Sequence, residues 1–177
     1  MRTPAFFAAL AGLALVAAPA AAHNHSKTAR AKTVVEVAVG NADFSTLVTA
    51  VKAADLATTL SGKGPFTVFA PTNAAFAKLP AGTVETLVQP ANKATLASVL
   101  TYHVVPGRVN AAQLTKLIRD GGGNAILTTV QGGTLKASLM GDRIMLTDAK
   151  GGTAHVVTAN VNASNGVIHA IDSVVMP

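Results

Sequence analysis

Four turn signals at near-regular spacing constrain this chain most. Gly132-Gly133, Gly141-Asp142, Gly151-Gly152 and Asn165-Gly166 divide the last third of the sequence. Glycine and asparagine reach the backbone conformations that tight hairpins need. The runs between them are rich in Val, Ile, Leu and Thr, the types that suit a half-buried pleated strand. From Ile126 onward the spacing predicts a series of antiparallel hairpins.

The earlier part follows a different period. "TVVEVAVGNADFSTLVTAVKAADLATTL" (Thr33–Leu60) reads as two helices. Asp43 is placed to cap the second, with Phe44, Leu47, Val48 and Val51 on one face. "SGKG" ends it. In "GPFTVFAPTNAAFAKLP" (Gly64–Pro80), Thr67, Val68 and Phe69 favour a strand, and Ala70-Pro71 stops it because proline gives no N–H to a ladder. Thr72 and Asn73 can cap a following helix with Ala75, Phe76 and Leu79 on its apolar side. "AGTVETLVQP" gives a short helix. "NKATLASVLTYHVV" gives another, with Asn92 as cap, Leu96, Val99, Leu100 and His103 on its apolar side, and "PGRV" as its break. Asn110 and Gln113 are spaced as a capping box for "AAQLTKLIRD", and Gly121-Gly122-Gly123 should end that helix in a mobile loop. Helices crowd the first half and strands the second, so an α+β domain is expected.

The N-terminus belongs to targeting rather than to the fold. Met1 and Arg2 precede an apolar run from Ala5 to Ala18, and "APAAA" (Ala18–Ala22) supplies small residues at cleavage spacing. This reads as a secretory signal peptide of residues 1–22, cut after Ala22 or after Ala20. With it removed, no stretch is apolar and long enough for a transmembrane helix. Residues 23–32 read as a flexible polar arm and residues 33–177 as the folded domain. The chain has no cysteine, so an exported fold here does without disulfides and without a lipidated cysteine.

The formal charge is +6, but the basic residues are scattered singly. There is no tryptophan and Tyr102 is the lone tyrosine. A nucleic-acid reader would concentrate its basic residues on one face with stacking aromatics. A solvated, mildly basic surface is the better reading.

Three segments together carry a family resemblance. "TVFAPTNAAFAKLP" (Thr67–Pro80) resembles the first conserved motif of fasciclin domains, "LTYHVVPG" (Leu100–Gly107) their central Tyr-His motif, and "SNGVIHAIDSVVMP" (Ser164–Pro177) their second conserved motif. Their order and separations also match, and the similarity runs from about Thr33 to Pro177. The resemblance implies a fasciclin-like β-sandwich or wedge decorated by helices clustered in the N-terminal half. It also implies a non-enzymatic exported protein in adhesion or matrix interaction, without a cofactor, periplasmic or at the cell surface. Its partner would be a cell-surface or matrix protein or polysaccharide. A structural envelope component without a specific receptor is the bland alternative.

The physics of the segments favours structural roles for Thr67, Val68, Phe69, Ala70, Pro71, Thr72 and Phe76 in the first. The same holds for Tyr102 and His103 in the second, and for Asn165, Gly166, His169 and Asp172 in the third. Asn165-Gly166 suits a tight hairpin turn. After it Val167, His169 and Ile171 point one way and Ile168, Ala170 and Asp172 the other. His103 and His169, with Asp172 and Ser164 nearby, are the tempting catalytic groups. No nucleophile elbow, metal-ligand spacing or phosphate loop accompanies them, so no catalytic residue is assigned. In animal members an Asp-Ile pair before the second motif is linked to integrin binding. Those positions here are Asn160 and Val161, and the carboxylate is absent. Tyr102 and His103 match a motif also tied to adhesion. A different chemistry sits in the arm: a mature chain starting at His23 could ring Cu(II) or Ni(II) with its amine, two amides and the His25 imidazole.

Overall fold

The computed structural model describes residues 32–177. Its helices are α1 (Val34–Val39), α2 (Ser45–Ala53), α3 (Ala57–Leu60), α4 (Asn73–Ala77), α5 (Thr83–Leu87), α6 (Lys93–Tyr102) and α7 (Ala111–Asp120). The strands are β1 (Phe66–Pro71), β2 (Val104–Pro106), β3 (Asn124–Thr128), β4 (Thr134–Met140), β5 (Arg143–Thr147), β6 (Thr153–Ala163) and β7 (Gly166–Ile171). They form a seven-stranded sheet in the order β2-β1-β7-β6-β5-β4-β3. The Val130 N–H donates to the Val104 carbonyl at 2.8 Å, bringing the two ends of that order together. The domain is α+β, with six of its α-helices before β2 and only α7 between β2 and β3.

The centre is a parallel pair. β1 and β7 run together from Phe66↔Gly166 to Pro71↔Ile171. Every residue of β7 is buried, as expected of a parallel strand covered on both faces. Alternation then separates two cores. Val68, Ala70, Ile168 and Ala170 join Phe44, Leu47, Leu96 and Leu100 under the helices. Phe69 and Ile171 join Leu114 and Ile118 of α7 with Leu127, Leu135 and Leu146 of the hairpins.

Several local expectations are corrected. Thr33–Leu60 forms three helices and a 3-10 turn (Ala42–Phe44), not two helices. Asp43 lies inside that turn, whose cap is Asn41, accepting from the Asp43 N–H at 3.0 Å. Asn92 stands at the start of α6 but its side chain makes no cap bond there; its Nδ2 donates to the Thr86 carbonyl at 2.8 Å. α6 stops at Tyr102, and Val104–Pro106 turns extended to pair with β1. The β6–β7 turn is Ser164-Asn165, because Ala163 pairs with Gly166. Gly166 is a strand residue; a Cβ on it would come 2.1 Å from the Phe66 carbonyl oxygen. The close approach of β1, not a turn, excludes a side chain there. Gly121–Gly123 forms a hydrogen-bonded end to α7, with the Gly123 N–H reaching the Ile118 carbonyl at 2.8 Å. The Asn110–Gln113 capping box is made in both directions, at 2.8 and 3.1 Å.

Candidate functional site

The first segment is a junction between strand and helix. Thr67 Oγ1 donates to the Gly107 carbonyl at 2.7 Å and accepts the Val109 N–H at 2.8 Å, strapping the loop after β2 onto β1. Val68, Ala70 and Pro71 are buried, and Phe69 is fully so. Thr72 caps α4 by accepting from the Ala75 N–H. Asn73 acts elsewhere: its Oδ1 accepts the Thr46 N–H at 3.1 Å and its Nδ2 donates to the Ala42 carbonyl at 2.8 Å. It caps α2, whose own N-cap residue, Phe44, has no side-chain cap bond. Phe76 is only half-buried against the helical core.

The second segment meets the first and third inside the protein. The Phe69 N–H donates to the His103 carbonyl at 2.8 Å, and the Phe69 ring stacks on His169. Tyr102 is fully buried. Its hydroxyl donates to the Thr134 carbonyl at 2.6 Å and accepts the Ala149 N–H at 3.2 Å. A Cβ on Gly133 would lie 2.7 Å from the Tyr102 ring, so that glycine lets the hairpin close over it. Burial raises the Tyr102 pKa, and the charge of Asp148 adds to the rise against the Ala149 N–H bond.

Both histidines have their ring nitrogens committed. A carbonyl only accepts, so His103 donates from Nδ1 to the Val99 oxygen at 2.8 Å. Its Nε2 is then the acceptor for the Val175 N–H at 3.3 Å. His169 has the opposite tautomer: Nε2 donates to the Val109 oxygen at 2.9 Å, and Nδ1 accepts the Asn160 N–H at 3.4 Å. Burial lowers both pKa values, His103 to about 4, although the bond to Val99 opposes it. Two neutral rings with no free nitrogen are cross-links, not proton carriers.

The third segment also works as a fastener. Asn165 Oδ1 accepts the Val34 N–H at 2.9 Å, while its Nδ2 donates to the Leu60 and Gly62 carbonyls at 2.8 and 3.0 Å. Asp172 lies just past β7, accepts the His155 N–H at 2.8 Å and pairs with Lys78 at 3.4 Å. Burial raises its pKa, but the His155 N–H and Lys78 outweigh that and leave it lowered. Asp148, which sequence reasoning passed over, accepts the Lys150 and Gly152 N–H groups with Oδ1 and the Met176 N–H with Oδ2. The strap on the C-terminal tail is therefore His103 together with Asp148. Only the Asp-x-x-x-Gly spacing of the β5–β6 loop hinted at part of this.

Asn160 and Val161 lie on the stretch of β6 where the register with β7 shifts, with the main chain of Asn160 bonded to His169. Asn160 is exposed with φ +60°, and its Oδ1 accepts the Ala111 N–H at 2.8 Å. Val161 is half-buried opposite Ile168. His23 and His25 lie outside the described residues. Among the described residues, no three His, Asp or Glu side chains gather as a metal-ligand group, and no helix is long and apolar enough to cross a membrane.

The fasciclin domain family model matches residues 42–177. The chain is 51% identical over 155 residues to Protein sll1483 of Synechocystis, across 87% of this chain and 78% of that protein. It is 35% identical over 145 residues to transforming growth factor-beta-induced protein ig-h3 of Sus scrofa, across 82% of this chain and 19% of the relative. Among solved structures, the FAS1 domain pair of the insect cell adhesion molecule fasciclin I superposes with a TM-score of 0.72. That match has 19% identity and covers 82% of this chain and 51% of the other. It speaks for the fold.

Proposed function

This chain belongs to the fasciclin domain family, and from that premise we propose that it is an exported, non-enzymatic adhesion domain that holds to a cell-surface or matrix protein or polysaccharide. One observation carries the reading: key polar groups of the three family segments are spent on internal bonds, at Thr67, Tyr102, His103, His169 and Asn165 alike. Such a domain is a rigid scaffold, and its partner is met by the outer surface. The fold likeness to a domain pair from an insect cell adhesion molecule supports the same reading. The N-terminal apolar run and the small residues Ala18–Ala22 support export.

The test is binding of the mature, tag-free domain to intact cells and extracted matrix, at low and high salt. Saturable binding supports the reading, and its loss in salt measures how far the basic surface contributes. A folded domain that binds neither overturns it in favour of a purely structural envelope component.

A further inference from the structure

Cations that stand far apart in the sequence are gathered by the fold around one turn. That turn is Ser164-Asn165, between β6 and β7. The Ser164 N–H donates to the Lys32 carbonyl at 2.8 Å, which fixes the chain leading into α1 against it. Asn165 Nδ2 donates to the Gly62 carbonyl at 3.0 Å, and the Asn165 carbonyl accepts the Phe66 N–H at 3.0 Å. Lys63 therefore stands on a loop tied to the same turn on both sides. Gly64, beside it, has no room for a Cβ against the Asn165 carbonyl oxygen. The loop after β2 completes the group. Its Gly107 N–H donates to the Pro65 carbonyl at 2.9 Å, and Arg108 Nη2 donates to Asn162 Oδ1 at 3.0 Å, just before the turn.

Lys32, Lys63 and Arg108 are all exposed, and none of them makes an ion pair with the described residues. Glu36, the acid of α1, is turned back onto the Thr33 N–H at 2.8 Å. Asp55, at the end of α2, pairs with Lys93. The sequence adds Lys27 and Arg30 ahead of Lys32, and residues 23–32 contain no Asp or Glu. Cations held close without counter-charges raise the local potential and draw in anions. These three belong to three segments on an open surface, so charges repeated along a polymer answer them together. Ser61, Asn162 and Ser164, exposed on the same segments, suit a polymer rich in hydroxyls. None of the exposed large apolar side chains lies there, as a surface that enters a membrane interface would require.

We propose that this basic end of the domain, around the Ser164-Asn165 turn, binds an acidic polysaccharide. Its carboxylates meet Lys32, Lys63 and Arg108, and its hydroxyls meet the serines and Asn162. A guanidinium offers a carboxylate a planar fork and an ammonium offers a point charge. The inference rests on the adhesion reading and narrows its partner to a uronate-bearing chain.

The test is a titration of the 15N-labelled mature domain, in low salt, with an alginate oligomer, a chain of uronates. The expected result is saturable amide shifts centred on Lys63, Arg108 and Ser164, weakened by added salt. Lys32→Gln, Lys63→Gln and Arg108→Gln together weaken binding at least tenfold with the melt unchanged. Lys52→Gln, Lys136→Gln and Lys150→Gln remove the same charge from exposed positions elsewhere and leave binding nearly as it was. Neutral dextran of the same length does not bind. No saturable shift up to about 1 mM, the weak end of specific recognition, overturns the inference. So do equal losses in the two triple variants, shifts centred elsewhere, or equal binding of dextran. Binding to phosphatidylglycerol vesicles with none to alginate also overturns it, in favour of a membrane surface. If the parent and the Lys32, Lys63 and Arg108 variant bind cells and matrix equally, the patch inference fails and adhesion stands. If alginate binds at the patch but cells and matrix do not, the adhesion reading fails and the patch remains.

Discussion

Phe69 and His169 are register partners on the parallel β1–β7 pair, and their rings stack with centroids 5.6 Å apart and planes 26° from parallel. The ring that the sequence offers as a tempting catalytic group is pinned between an aromatic face and two main-chain bonds. Phe69→Ala removes a fully buried side chain and the surface on which His169 rests. It should cost about 3–5 kcal/mol. Phe76→Ala, at a half-buried position, should cost clearly less. Urea unfolding of both variants checks the order, and equal midpoint shifts would contradict it.

Asn165 bonds three main-chain groups around the N-terminal helices. Asn165→Ala leaves a partly buried N–H and carbonyls without it, at a cost of about 1–3 kcal/mol. Hydrogen exchange should rise first in α1 and near Gly62, before β4 and β5. Uniform acceleration across the domain would show that Asn165 does not hold those helices in particular.

Gly166→Ala should be worse than its small volume suggests. The added Cβ meets the Phe66 backbone, not a side chain that could swing away. The parallel pair must shift, and a large loss of thermal stability is expected. A melt within 2–3 °C of the parent, a shift of about 1 kcal/mol at most for a domain of this size, would refute it.

Acid should weaken the fold over a defined interval. His103 ionises near pH 4 when folded and at an ordinary 6.5 when unfolded, because burial disfavours the imidazolium. Between those values the unfolded chain binds the extra proton. The contribution of the neutral ring is complete above pH 6.5 and is lost as pH falls towards 4, about 3 kcal/mol in all. His169 acts in the same sense, since burial lowers its pKa too. Asp172, whose pKa is lowered, withdraws its contribution only below the ordinary carboxylate range. Unfolding free energies at neutral pH and at about pH 4.5 should show the loss, and His103→Gln should flatten it. A parent profile flat over that interval would exclude His103 as its source.

Tyr102→Phe separates packing from recognition. It keeps the ring against Gly133 and removes the hydroxyl that joins Thr134 to Ala149. The expected loss is about 1–3 kcal/mol, with cell and matrix binding unchanged at a temperature where the variant is folded. Binding abolished in a stable Tyr102→Phe protein would make the hydroxyl part of the interaction surface.

Local chemistry was legible in the sequence, and distant partnership was not. The hairpin glycines, the Thr72 cap and the Asn110–Gln113 box all act within a few residues, so their signals sit side by side. Asn73 and Asn165 look like ordinary cap and turn residues. Their bonds go to Thr46 and Val34, and no local pattern announces those partners. Asp43 has a capping side chain, but the 3-10 turn begun by Asn41 reaches it first. The register shift of β6 against β7 was invisible for a related reason. The run from Thr153 to Ala163 reads as one strand, yet it pairs with β5 only at its start and shifts register twice along β7.

The central pair sets the timetable for folding. β1 is made early and waits for β7, and no other strand can stand in for it, because both cores close on this pair. Pairing across so much intervening chain is slow to nucleate. A nascent chain has its helices and the β3–β5 hairpins before it has a middle. It therefore stays loose until β7 has been added, the condition in which a polypeptide can still be threaded through a secretion channel.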